Sequence, residues 1–211
     1  MTLPQIAAAA ITAILLGVSR AGLSTISLLT LPILSQAFGG RSAVGLVLPI
    51  AIGADLTGVF SNFRNLRWKP LLVILPGTLV GVALGAWLGM VISDEVFKII
   101  IGSVIILSLL TQGYRDFKGR RIIEVEPSPQ MATLVGIVGG FTSMVGNAAG
   151  AVILIYFLAL GLPKKNYIAC WGWFFFIVNS IKVIPHVFLW KSITPGSLLI
   201  GAIMIPGILA G

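Results

Sequence analysis

Arg20 stands in the middle of an apolar stretch, within the run Gly17-Val18-Ser19-Arg20-Ala21-Gly22, and no acidic residue comes closer in sequence than Asp55. A guanidinium at membrane depth is costly unless it is paired or hydrated. Its planar fork fits carboxylate, sulfonate or phosphate oxygens. A helix beginning near Gly22 adds backbone N–H groups and a positive dipole end at the same place. Arg20, Ser19 and Gly22 therefore read as an anion site. The plainer reading puts Arg20 at the cytoplasmic surface of a fully crossing hairpin. Ser143, Gly146 and Asn147 interrupt a second apolar stretch in a similar way, without a charge. There Asn147 either caps the helix that follows or hydrogen-bonds a substrate oxygen. Asp55 is the one acidic residue in the middle of an apolar span. Such a carboxyl needs a cation or a proton, so it reads as a static partner of Arg20 or as a proton carrier. Asn179, Lys182 and His186 share one span, with Lys182 and His186 one turn apart. Asn179 lies deep enough to serve a substrate or another helix. Lys182 is expected to snorkel to the extracellular end, and His186, beside Pro185, reads as structural.

The elements that must position these residues follow from composition. The chain has 211 residues, 57% hydrophobic and only 9% charged, with a mean hydropathy of +1.07. A soluble domain has about a quarter of its residues charged. The shortfall excludes an ordinary cytosolic enzyme, a disordered chain and a secreted disulfide scaffold. One cysteine, Cys170, and one histidine, His186, leave no intramolecular disulfide, no CxxC metal site and no His-rich site. A net charge of +8 in so apolar a chain reads as basic loops beside a membrane, not as a nucleic-acid surface. Nothing in the sequence calls for a cofactor.

Apolar runs of about 20 residues cross a bilayer as helices, and single spans are expected at 42–63, 70–92, 96–113, 167–190 and 195–211. Two stretches, 3–38 and 131–162, are too long for one span: a straight 36-residue helix would reach roughly 54 Å. Each is broken near its middle, at Gly17–Gly22 and at Ser143–Asn147, and each reads as a hairpin of two shorter helices. The tryptophans fall mostly near span ends, as interface anchors do, and Trp173-Phe174-Phe175-Phe176 reads as lipid-facing or packing surface. No cleavable signal peptide is expected, since the first positive charge is Arg20. Alternate crossings put nine basic residues on one side (Arg64, Arg67, Lys69, Arg115, Lys118, Arg120, Arg121, Lys164 and Lys165). Three lie on the other (Arg41, Lys98 and Lys191). The first side is therefore cytoplasmic.

A weak internal repeat runs through this order. Gly22 precedes Trp68-Lys69 by 46 residues and Gly146 precedes Trp190-Lys191 by 44. The tetrads Pro76-Gly77-Thr78-Leu79 and Pro195-Gly196-Ser197-Leu198 follow. The expected fold is an all-α polytopic membrane protein. A first transmembrane repeat spans 1–113, a basic cytoplasmic linker 114–130, and a second repeat 131–211. Each repeat opens with a broken-helix hairpin. Five elements in the first half, an odd number, invert the second half relative to it, as in many secondary transporters whose sites lie at the repeat interface. The offset between Gly22 and Gly146 is 124 residues, which would place the partner of helix 96–113 at about 220–237. The reading therefore expects the C-terminal helix of the second repeat to be missing.

The stretches GVSRAG (17–22), LPIAIGAD (48–55), GFTSMVGNAAG (140–150), YFLALGLPKKNYI (156–168) and WFFFIVNSIKV (173–183) together resemble the TauE/SafE sulfite exporter family, also called the toluene sulfonate uptake permease family. The resemblance implies a multi-pass transporter of small sulfur-containing anions in the bacterial cytoplasmic membrane. Its partners would be the anion, the lipid bilayer and a coupling ion or proton. The expected substrate-binding residues are Arg20, Ser19, Gly22, Ser143, Gly146, Asn147 and Asn179, with Asp55 as coupling or charge partner. The competing readings are an anion-selective channel and an intramembrane serine protease using Ser19 and His186. The sequence predicts that Arg20→Gln abolishes uptake of labelled sulfite or a sulfonate by proteoliposomes at normal protein yield. Unchanged uptake would remove Arg20 from the mechanism.

Overall fold

The computed structural model describes residues 3–20, 24–118 and 128–210. Every regular element among these residues is helical. In chain order they are α1 (Leu3–Arg20), a 3-10 turn (Ser24–Leu29) leading into α2 (Thr30–Phe38), α3 (Gly40–Asn62), a short 3-10 turn (Phe63–Asn65), α4 (Trp68–Val91), α5 (Asp94–Lys118), α6 (Pro129–Gly146), α7 (Ala149–Ala159), α8 (Lys164–Phe188), α9 (Pro195–Ile203) and α10 (Ile205–Ala210). Both long apolar stretches are divided as expected. The first gives α1, then the turn and α2; the second gives α6 and α7.

Local chemistry explains the boundaries. Ser128 caps α6: its Oγ accepts from the Met131 N–H, and Pro129 follows at the first helical position, where its missing N–H does no harm. Asn147 ends α6 in the left-handed conformation, at φ 50° and ψ 29°. A reciprocal Thr194–Ser197 capping box opens α9. The expected single span at 195–211 is two helices instead, divided at Met204. Pro206 has no N–H to donate and its ring crowds the carbonyl four residues back, which weakens the helix at this point, although Pro49, Pro76 and Pro185 are accommodated inside α3, α4 and α8. Within the stretch 114–130 expected as a linker, α5 continues helically through Lys118 and α6 begins at Pro129. Residues 119–127 of that linker lie outside the described residues.

Among the described residues, three helices are long and apolar enough to cross a membrane: Ser42–Phe60, Trp68–Val91 and Lys164–Phe188. Leu72, Leu79, Leu84 and Trp87 of α4 and Ile99, Ile106 and Leu110 of α5 are exposed. Faces this apolar suit lipid, where a helix satisfies its own backbone. Inside lie two cores. One gathers α1, α2 and α3 with Ile101, Ile105, Val145 and Ile208; the other gathers α4, α6, α7 and α8. Val145 and Ile208 lie in the second half of the chain, so the halves interlock.

The closest helix pair is α4 with α6. A β-carbon at Gly77 would collide with the Thr133 carbonyl, at Gly81 with that of Ile137, and at Gly140 with that of Thr78. The backbones therefore touch directly, the close approach that small residues permit in membranes. This contact fixes α6, whose last turn carries Ser143. Gly81→Leu is expected to destabilise the fold by about 1–3 kcal/mol or more through overpacking, read as a lowered melting temperature in detergent. Gly102→Ala, with open space around its position, should leave the melting temperature equal or higher. Equal melting of Gly81→Leu and wild type would refute the direct backbone contact.

Candidate functional site

The site forms where α6 breaks. The left-handed Asn147 turns the chain, its N–H bonded to the Ser143 carbonyl at 3.1 Å and the Ala148 N–H to the Thr142 carbonyl at 3.2 Å. These bonds satisfy the last carbonyls of α6, and α7 restarts at Ala149. The break leaves the Ser143 hydroxyl and the Asn147 side chain at the negative end of the α6 dipole, where a cation is favoured.

Lys182 of α8 supplies that cation. Its ammonium donates to Ser143 Oγ, Asn147 Oδ1 and Asn179 Oδ1, each at 3.2 Å. The side chain is 1% exposed. The expectation that Lys182 snorkels outward is therefore overturned. Two acceptors at the C-terminal end of α6 and one within α8 hold the ammonium inside, where an unsatisfied charge would be far more costly. Asn179, one turn earlier on α8, faces both ways. Its Oδ1 accepts from Lys182, and its Nδ2 donates to Asp55 Oδ2 on α3 at 2.7 Å. Asp55 and Asn179 are both buried. The helices cross closely there, with a β-carbon at Gly172 of α8 only 3.5 Å from the Gly58 backbone of α3. A carboxylate, an amide, an ammonium, a hydroxyl and a second amide thus form one connected chain between α3, α8 and the α6–α7 break.

A cavity of about 20 Å3, room for a water molecule or little more, adjoins this chain. Leu16 and Ser19 of α1, Ser27 of the following turn, Asn147 and Gly150 at the α6–α7 break, and Trp171, Phe175 and Asn179 of α8 line it. The Ser19 hydroxyl donates to the Leu16 carbonyl at 2.7 Å, so it presents lone pairs to the cavity in this state. With its Oδ1 on Lys182, Asn147 has its Nδ2 hydrogens left, and these meet no acceptor among the described residues. Trp171 and Phe175, 4.9 Å apart between ring centroids, give the cavity an apolar wall beside Asn179 on α8.

The sequence-expected residues divide accordingly. Ser19, Asn147 and Asn179 meet at the cavity, Ser143 joins through Lys182, and Asp55 joins through Asn179. Gly146 lies beside Val104 of α5 and does not line the cavity. Arg20 closes α1, but its side chain and all of Gly22 lie outside the described residues. Sequence reasoning missed Trp171 and Phe175, eight and four residues before Asn179 on the same helical face, and that spacing was the available signal. Phe174 and Phe175 are buried while Trp173 and Phe176 are half-buried, so the aromatic run packs inward on one face. His186 Nδ1 pairs with Ser192 Oγ at 2.7 Å, and Trp190 Nε1 donates to the Ala86 carbonyl at 3.0 Å. His186 thus stabilises the turn after α8, while Ser19 is bonded to its own helix; neither primes the other as a nucleophile and base. Among the described residues, no three His, Cys, Asp or Glu side chains gather as a metal site would require.

A family model described as Sulfite exporter TauE/SafE matches residues 6–211. No curated protein and no solved structure matches the chain.

Asn147 combines a backbone and a side-chain task, and two substitutions separate them. Asn147→Gly keeps the left-handed turn and loses only the acceptor for Lys182. Asn147→Val, which loses the same acceptor and is β-branched at positive φ, should be about 1–3 kcal/mol less stable than Asn147→Gly. Thermal unfolding in detergent measures both, and equal melting of the two variants would exclude a backbone role.

Proposed function

Because the chain belongs to the TauE/SafE sulfite exporter family, we propose that it is a secondary transporter carrying small sulfur-containing anions across the bacterial cytoplasmic membrane. Sulfite, sulfonates and related organosulfur anions are the substrate class. One observation carries the placement of the site: the buried Lys182 ammonium is held by two asparagines that also line a cavity. The anion sits in that cavity. Asn147 Nδ2 and the Ser19 and Ser27 hydroxyls donate to its oxygens, after the serine hydroxyls rotate away from their present acceptors. Lys182 supplies countercharge from behind the amides. Gly150 brings the first turn of α7 to the cavity wall, adding the positive end of its dipole. Arg20, with Gly22, completes the site from the first break, and Ser143 and Gly146 shape the second.

The fold's internal order supports alternating access around this point. α3 begins at Gly40 and α8 at Lys164, and the Asp55–Asn179 hydrogen bond joins residues 124 apart. That is the same offset as between Gly22 and Gly146. We read α1–α5 and α6–α10 as inverted repeats, joined by the basic linker on the cytoplasmic side. Asp55 and Asn179 are then counterpart positions meeting at the repeat interface. A small cavity walled in part by Trp171 and Phe175 suits a site that holds its substrate, as a carrier does.

Proteoliposomes containing the wild type should take up labelled sulfite or methanesulfonate saturably. Lys182→Met, which keeps the side-chain length and removes the charge, should lower uptake at least about tenfold while remaining monodisperse. Wild-type-like uptake by Lys182→Met would overturn the assignment of this site, and turnover far above about 10³ per second would favour a channel.

A further inference from the structure

The orientation of the Asn179 amide is set by its two neighbours. A carboxylate only accepts hydrogen bonds, and an ammonium only donates them. With Asp55 ionised, Nδ2 must face Asp55 and Oδ1 must face Lys182, as the structure has them. A proton on Asp55 lifts the first requirement, because the carboxylic O–H can now donate to the amide oxygen while the other carboxyl oxygen still accepts. Turning the amide over satisfies Asp55 and aims Nδ2, a donor, at the Lys182 ammonium, also a donor. That removes the Asn179 oxygen from the acceptors holding Lys182.

We propose that Asp55 is a positioning residue whose protonation turns the Asn179 amide over and thereby releases Lys182 toward an anion in the adjoining cavity. This inference rests on the transporter reading above and names how its site is coupled. Anion binding and protonation of Asp55 then favour each other, as linkage requires, and the anion travels with a proton. The sign is fixed: anion affinity is high when Asp55 is protonated and falls as pH rises through its titration.

The other titratable groups near Asp55 are few. α3 packs against α1, α2, α5, α8, α9 and α10. Of these, α2, α9 and α10 carry no titratable side chain, and α1 carries only Arg20. α8 contributes Lys182 and His186, with Lys164, Lys165, Tyr167 and Cys170 toward its start. α5 has Asp94, Glu95 and Lys98 near its start and Tyr114, Arg115, Asp116 and Lys118 near its end. Arg64 lies in the turn after α3.

Methanesulfonate is charged throughout the working pH range, so any pH dependence of its binding belongs to the protein. Calorimetric titration of the purified chain in two buffers of different ionisation enthalpy counts the protons taken up with the anion. The wild type should take up as much as about one proton per anion, with affinity changing by up to about tenfold per pH unit. Asp55→Asn and Asn179→Leu should both take up none and lose the slope. A slope that survives in Asn179→Leu would show that the Asp55 charge acts directly on the anion, and would overturn the toggle. A wild type that binds without proton uptake at any pH would overturn it as well. Infrared difference spectra after a pH step, on protein with carbonyl-labelled asparagine, give a readout that needs neither ligand nor variant. The Asp55 carboxyl band should rise together with a shift in an asparagine carbonyl band. A carboxyl change without the asparagine shift would refute the toggle. A wild type that binds no sulfonate at all would sink the transport reading, and the infrared arm would still decide this one.

Discussion

A lysine ammonium enclosed in an apolar interior is the constraint around which the molecule is arranged. In hydrocarbon it must find acceptors, and the chain provides them by breaking a helix. The α6–α7 interruption frees a hydroxyl and an amide, and the α6 dipole adds a negative end. The break that looks like a defect in a membrane helix is what makes a buried cation tolerable. Asn179 extends the arrangement to Asp55, so two opposite charges share a neutral intermediary.

The helices around this centre touch in two different ways. α4 and α6 meet largely backbone to backbone through glycines, with the Met144 side chain against Gly85. α3 and α8 also approach closely, at Gly58 and Gly172, and are joined as well by the buried Asp55–Asn179 hydrogen bond. The first contact is steric and the second adds a polar link between the two halves of the chain. At one end of the molecule, Asn166 donates to the Asn65 carbonyl and Tyr156 to that of Pro70, tying the α3–α4 turn to the region of α7 and α8. Trp190 ties the turn after α8 to α4 at Ala86. The polar centre thus lies between two anchored ends.

Much of this was legible in the residues. Apolar run length located the long helices, because a membrane helix needs a fixed number of apolar residues. The two overlong stretches announced their own interruptions, since Asn147 and its small neighbours suit a left-handed turn. The GNAAG, LPKK and WFFFIVN segments carried the family resemblance, and the family match over residues 6–211 agrees with it. Lys182 was harder. Four residues before a histidine and near a helix end, it fits a snorkelling lysine equally well, and only the third dimension brings the α6 break within reach of its ammonium. The aromatic wall was hidden for a related reason: Trp171 and Phe175 belong to a run of bulky rings whose sequence does not say which of them point inward. The division of α9 from α10 near Pro206 was not legible, because Pro49, Pro76 and Pro185 sit inside helices that continue through them.

The glycine spine between α4 and α6 also bears on how the chain assembles. A glycine-rich contact has few rotamers to immobilise when it forms, so the docking of α4 on α6 costs little side-chain freedom. These helices are separated in sequence by the whole of α5 and the basic segment after it. Their early docking would draw the remote parts of the polypeptide together before Lys182 settles, so that the charge enters a cradle already built.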